Sequence, residues 1–174
     1  MDIYWGEYLI RDWREDDAYG IVKYANNYKI SKNLRDGFPY PYDLSDAEDF
    51  LSKVKQQEPK TLFAIAAEAE IIGAIGLAMG VDVHRFTAEM GFWLAEPYWG
   101  KGIMTEAVKR FTEYAFERYD LKRIFAEPYT TNPASARVLE KAGYVLEGTL
   151  RANVFKEGKV LDQYLYARVK DGIL

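Results

Sequence analysis

Apolar positions along the chain recur with two rhythms, and the switches between them outline its elements. Residues 8–13 read as a first strand, and Asp16 or Asp17 then opens a helix to about Ala25. Phe38-Pro39-Tyr40-Pro41-Tyr42 cannot be helix interior, because each proline lacks an N–H and clashes with the preceding turn. Ser45-Asp46-Ala47-Glu48 has capping-box spacing and predicts a helix to about Gln57. Residues 62–67 and 71–79 are short apolar runs parted by a polar turn near Glu68 to Glu70, the pattern of a hairpin of buried strands. Residues 87–94 predict a further strand that ends at Glu96-Pro97. Beyond it Ile103, Ala107, Phe111 and Tyr114 recur at helical spacing and form one buried stripe. Residues 123–127 are the next strand. Asn132 and Pro133 suit the N-cap and first position of a helix that stops at Gly143. Residues 145–155 and 159–168 close the chain as a hairpin around Glu157-Gly158. Strands in hairpins, interspersed with helices, predict an α/β fold with a sheet of mixed direction.

Length and composition narrow the function. The 174 residues fit one domain, residues 1–174, with no repeat and no low-complexity linker. Apolar residues make up 49% and charged residues 29%, as in soluble globular proteins. A net charge of −4, with lysines and arginines interspersed among acids, argues against a nucleic-acid partner and weakly favours a cationic substrate. The chain has no cysteine and one histidine, His84. A cysteine nucleophile and a thiolate metal site are therefore impossible, and no metal is expected. A serine triad would have to recruit His84 from the polar stretch Asp82-Val83-His84-Arg85, which reads as a solvated hairpin loop. Any acyl transfer should then pass directly from donor to acceptor. The N-terminus lacks the basic and apolar segments of a signal peptide, and no run approaches the ~20 apolar residues of a membrane helix. A cytoplasmic protein with no membrane partner is the expectation.

The most informative stretch is Pro97-Tyr98-Trp99-Gly100-Lys101-Gly102-Ile103-Met104-Thr105-Glu106-Ala107. A strand, a glycine-rich turn and a helix start together favour phosphate, because free N–H groups and the positive end of the helix dipole point outward. Gly100 and Gly102 stand where the backbone must turn sharply, and Lys101 either adds a charge or is plain surface. The Walker spacing is absent, and the dinucleotide fingerprint fails because Thr105 replaces its third glycine. Taken alone, the two glycines serve a plain turn equally well.

A second constellation lies further on: Asn132-Pro133-Ala134-Ser135, then Val138-Leu139-Glu140-Lys141-Ala142-Gly143-Tyr144, then Glu147-Gly148. Together with Ala88-Glu89-Met90-Gly91-Phe92-Trp93-Leu94 and the glycine turn, it resembles the GNAT superfamily of N-acetyltransferases. More narrowly, it resembles the Rim-type branch that acetylates ribosomal-protein N-termini. The likeness covers nearly the whole chain and is most specific between Glu89 and Gly148. It implies a single-domain GNAT-like fold, a mixed, mostly antiparallel sheet of about seven strands with a V-shaped opening between two central strands. It also implies acetyl-CoA as donor, with the pyrophosphate on the backbone N–H groups of about Gly100, Lys101, Gly102, Ile103, Met104 and Thr105, and with Trp99 also in the cofactor site. The pantetheine arm would pair with Trp93 and Leu94, and Asn132 and Lys141 would contact the cofactor. Where the superfamily signature begins with Gln or Arg and ends with Gly or Ala, this chain has Trp99 and Met104, and only Gly102 matches.

The implied reaction is attack of a neutral primary amine on a thioester. An α-amine titrates near ~8 and lysine near ~10.4, so a base must remove a proton near neutral pH. Glu89, on the strand leading into the turn, is the first candidate. A second base of the Rim-type branch falls at Val154 here, leaving Asn153 and Glu147 as substitutes. Many relatives carry a tyrosine acid where this chain has Leu139. The matching branch has Asn-x-x-Ser, which points to Ser135 as the group that stabilises or protonates the departing thiolate, although a first-turn residue satisfying backbone N–H groups is the plainer reading. A backbone N–H near Leu94 would stabilise the oxyanion. Phe38, Tyr40 and Tyr42 lie in the region that borders the acceptor in the Rim-type branch, although plain core packing explains them equally well. The amine is a protein N-terminus or a small molecule, and a homodimer is a habit of the family. The alternative is a non-catalytic acetyl-CoA-binding sensor.

Overall fold

The computed structural model describes residues 1–172. In chain order the elements are β1 (Asp2–Trp5), β2 (Tyr8–Arg11), α1 (Asp17–Ala25), α2 (Tyr28–Ser31), α3 (Leu44–Gln56), β3 (Leu62–Ala67), β4 (Glu70–Met79), β5 (Thr87–Leu94), α4 (Ile103–Arg118), β6 (Arg123–Ala126), α5 (Pro133–Lys141), β7 (Val145–Lys156) and β8 (Lys159–Val169). The described strands hydrogen-bond in the order β1-β2-β3-β4-β5-β6-β8-β7. The ladders β1·β2, β2·β3, β3·β4, β6·β8 and β7·β8 are antiparallel, and β5·β6 is parallel. The sheet is thus mixed and mostly antiparallel, with eight strands rather than about seven.

The additional strand is β1, whose alternation of exposed and half-exposed residues hides no apolar face. It pairs with β2 around Gly6, which holds a φ of +55°. Trp5 therefore sits on a sheet strand, while Trp13 donates its indole N–H to the Leu62 carbonyl at 3.1 Å and meets Phe50 edge-on. The cap of α3 also differs from the expected one. Asp43 accepts from the Asp46 N–H and Asp46 accepts from the Asp43 N–H, both at 3.0 Å, so the helix starts two residues before the box at Ser45 would allow. The single turn α2 is a further addition, capped by the Asn27 side chain on the Lys29 N–H.

The chain forms two compact units, to both of which β4 and β5 contribute. The first comprises Met1–Gly76 with Phe92–Ile103, and the second comprises Leu77–Gly91 with the chain from Met104 onward. In the first unit Ala18, Ile21, Ala25, Tyr42, Ala47, Leu51, Ala64 and Ile71 form a buried cluster, with Trp13, Phe38, Phe50 and Trp93 packed against it. Arg11 of β2 and Asp17 of α1 lie beside it as a buried two-pronged ion pair, at 2.8 and 2.6 Å. Asp17 also accepts the Arg14 N–H at 2.8 Å, so its carboxylate tethers both the strand end and the helix start. In the second unit α4 buries Ala107, Val108, Phe111, Thr112 and Ala115, a stripe at helical spacing. Each fully buried Phe or Ile there is worth about 1.5–3 kcal/mol relative to exposure. The Thr112 and Tyr144 hydroxyls lie 2.8 Å apart, and Tyr144 reaches Met90 Sδ at 3.7 Å. Burial pushes the Tyr144 phenol far above its ordinary value, so it stays a neutral structural group.

Candidate functional site: the strand-turn-helix of β5 and α4

In the first unit β5 ends at Leu94 and the chain makes a short 3₁₀ turn, Glu96–Tyr98. Two bonds form that turn: Tyr98 N–H to the Ala95 carbonyl at 3.0 Å, and Trp99 N–H to the Glu96 carbonyl at 3.1 Å. Gly100 and Gly102 follow with φ of +74° and +77°, a region that costs side chains ~1 kcal/mol or more. A Cβ on either glycine would meet nothing within 4 Å. Conformation, not lack of room, therefore demands glycine there. α4 begins at Ile103, so its first N–H groups have no acceptor within the helix. A turn and helix start of this kind suit a pyrophosphate. Lys101 is exposed and holds its ammonium 5.4 Å from the Tyr98 ring centre.

The opening half of β5 is paired with β6 from Thr87↔Arg123 to Glu89↔Phe125. β5 then continues to Leu94, whereas β6 stops at Ala126. The later residues of β5 are thus outside that ladder, as an extended ligand arm would require. Glu89 sits at the last paired position and is half-buried. Close approach of β4 supports Trp93 and Leu94: a Cβ at Gly73 would lie 2.4 Å from the Trp93 carbonyl oxygen. Sequence reasoning passed over Gly73, although an isolated glycine within an apolar strand signals close backbone contact.

Phe38 meets Trp93 edge-on, with ring centres 5.8 Å apart, and lies tilted against Tyr42 at 5.1 Å. Of the three aromatic residues in that loop, Tyr42 is 5% exposed and belongs to the core, while Tyr40 is 52% exposed and lies 5.7 Å from Tyr28. Burial raises the Tyr42 phenol to about 12. Near the same turn, Glu96 is held by Lys29 and accepts from Asn27 Nδ2 at 2.8 Å. These partners hold its carboxyl below the ordinary 4.5.

In the second unit Asn132 caps α5, its side-chain oxygen accepting the Ser135 N–H at 3.3 Å. Ser135 is half-buried in the first turn, and Lys141 is exposed in the last. Leu139 is fully buried, so the position of the tyrosine acid in other relatives is core here. Neither substitute base is poised. Arg123 grips Glu147 through both guanidinium nitrogens and holds its carboxyl below the usual range. Asn153 donates to Gln163 Oε1 at 2.7 Å. His84 is exposed in the loop between β4 and β5. Among the described residues, no helix is long and apolar enough to cross a membrane.

Residues 8–145 match the family described as the acetyltransferase (GNAT) domain. The chain belongs to the GNAT acetyltransferase family. It is 30% identical over 151 residues to the ribosomal-protein-serine acetyltransferase of Escherichia coli, covering 82% of this chain and 84% of that one. It is 27% identical to the uncharacterised N-acetyltransferase p20 of Bacillus licheniformis over 173 residues, 97% of this chain and 96% of that one. Among solved structures, the ribosomal L7/L12 α-N-protein acetyltransferase RimL, in complex with coenzyme A, superposes with a TM-score of 0.87. That match covers 98% of this chain and 99% of RimL at 19% identity, which speaks for the fold alone. This GNAT acetyltransferase is accordingly an acyltransferase with the mixed α/β fold of its family, and its relatives agree with the Rim-type resemblance.

Proposed function

We propose that the whole chain acts as one N-acetyltransferase domain, carrying acetyl from acetyl-CoA directly to a primary amine, first of all a protein N-terminal α-amine. The observation that carries this is the pair of left-handed glycines, Gly100 and Gly102, opening straight into α4, where a Cβ on either would meet nothing within 4 Å. The N–H groups of residues 100–105 bind the pyrophosphate, with Trp99 shaping the turn and Lys101 adding charge. Trp93 and Leu94 offer backbone groups to the pantetheine arm, and Asn132 and Lys141 contact the donor from α5. The similarity to the ribosomal-protein-serine acetyltransferase favours a protein N-terminus over a small amine.

Glu89 takes the proton from the ammonium group, and the freed amine attacks the carbonyl carbon. As the C–N bond forms, the Leu94 N–H steadies the charge on the carbonyl oxygen. As the C–S bond breaks, Ser135 gives a proton to the departing thiolate and regains one from the acylated nitrogen or solvent. The net products are amide, thiol and one proton. Phe38 and Tyr40 border the acceptor, and Tyr42 supports Phe38 from the core. Holding donor and amine together supplies much of the acceleration.

A thiol-release assay with N-terminal peptides and with polyamines tests the reading. Turnover with a peptide, absent when its α-amine is blocked, is the expected result. Turnover with polyamines alone would move the acceptor to small amines. Acetyl-CoA binding with no turnover on any amine would favour a sensor.

A further inference from the structure

Trp99 stands where β5 gives way to the glycine turn, and 43% of it is exposed. Its indole N–H is nevertheless committed: it donates to the Leu94 carbonyl at 2.7 Å. That bond closes a ring of chain from Leu94 to Trp99 around the 3₁₀ turn Glu96–Tyr98. The ring is moored to β4, because the Ala95 N–H donates to the Ile72 carbonyl at 2.7 Å. The Leu94–Ala95 peptide is thus held at its oxygen by the indole and at its nitrogen by a strand. Directly beyond come Gly100 and Gly102, which have no side chains to fix them and great backbone freedom. Their conformation has to be set from the ends of the turn. α4 holds one end, and Trp99 holds the other.

We infer that Trp99 is a positioning residue: its bond to the Leu94 carbonyl holds residues 100–105 in the pose that presents their N–H groups to the pyrophosphate of acetyl-CoA. The inference rests on the donor reading proposed above. An indole whose N–H is already spent cannot donate it to the phosphate, so Trp99 replaces contact by a polar side chain with control of the backbone. This also gives a reason for an aromatic residue at the position where the superfamily signature has Gln or Arg.

The test compares two donors on the full chain: acetyl-CoA, and S-acetylpantetheine, which lacks the pyrophosphate and nucleotide. Trp99→Phe keeps a ring and removes the donor. The KM for acetyl-CoA should rise about fivefold to tenfold, the size of one net hydrogen bond, with kcat changed less than twofold. With S-acetylpantetheine, kcat/KM should fall at least threefold less than it does with acetyl-CoA. A second variant carries 3-benzothienylalanine at position 99, which keeps the shape of indole and replaces N–H by sulfur. It should reproduce the split even if Phe loosens the turn. An equal loss with both donors, or an unchanged KM for acetyl-CoA in both variants, would overturn the inference. Failure of the unaltered protein to bind acetyl-CoA would instead overturn the donor reading, and this inference with it.

Discussion

Gly73→Ala tests how β4 sets the strand end that we assign to the acetyl group. A Cβ at Gly73 lies 2.4 Å from the Trp93 carbonyl oxygen, 3.2 Å from Leu94 Cα and 3.3 Å from Leu94 Cδ1. Ordinary contact begins at 3.4 Å, so the deficit at the oxygen is about 1 Å. Two of the three obstacles are backbone atoms, which cannot swing aside as a long side chain would. The Ala95 N–H to Ile72 carbonyl bond resists separation of the two strands next to the clash. Overpacking of this kind costs roughly 1–3 kcal/mol. A shift of about 1 Å in groups that position a reacting carbonyl can cost about 100-fold in rate. Gly73→Ala should therefore lower kcat in thiol release by about 30- to 100-fold and lower the urea midpoint by about 0.5–1.5 M. Gly148→Ala is the control, since a Cβ there meets nothing within 4 Å, and its stability should stay within about 0.5 kcal/mol. A Gly73→Ala protein with kcat within twofold of the unaltered chain would refute the role given to this strand end.

Asp17→Asn should destabilise the fold by about 3–5 kcal/mol in urea unfolding, because it leaves Arg11 buried without its charge partner, whereas Arg11→Met with Asp17→Leu should recover most of that loss. A single variant within 1 kcal/mol would contradict the assigned burial. Glu89→Gln and Ser135→Ala should each lower kcat by about 100-fold or more while acetyl-CoA affinity, read by calorimetry, changes less than threefold. Unchanged turnover in both would remove them from the mechanism. Lys29 and Asn27 hold Glu96 below 4.5, so their stabilisation is present above that pH and is lost as pH falls through the folded value. By NMR titration, Lys29→Ala should move the Glu96 midpoint up toward 4.5, and an unmoved midpoint would contradict the pairing.

The elements with a strong period were legible in the chain itself. The apolar runs of β3 and β4, the stripe of α4 and the Asn132-Pro133 start of α5 all announce themselves through side chains that must be buried or capped. β1 did not, because its burial alternates only between exposed and half-exposed and its place depends on pairing with β2. The start of α3 was ambiguous because Asp43-x-x-Asp46 and Ser45-x-x-Glu48 offer the same spacing, and only the backbone tells which is used. The glycine turn was legible as a turn, since Gly100 and Gly102 both have positive φ. The indole bond of Trp99 and the approach of Gly73 to Trp93 were not, because each joins residues whose contact depends on how the chain folds back. Glu147, a candidate base by residue type, is tied to Arg123, a partner 24 residues away.

The most direct test is a calorimetric titration of the intact protein with acetyl-CoA, with ATP and NAD as controls. Micromolar binding of acetyl-CoA alone is the expected result and would place the donor on this chain. Binding of ATP or NAD with none of acetyl-CoA would contradict the reading of the glycine turn and of the transferase built on it.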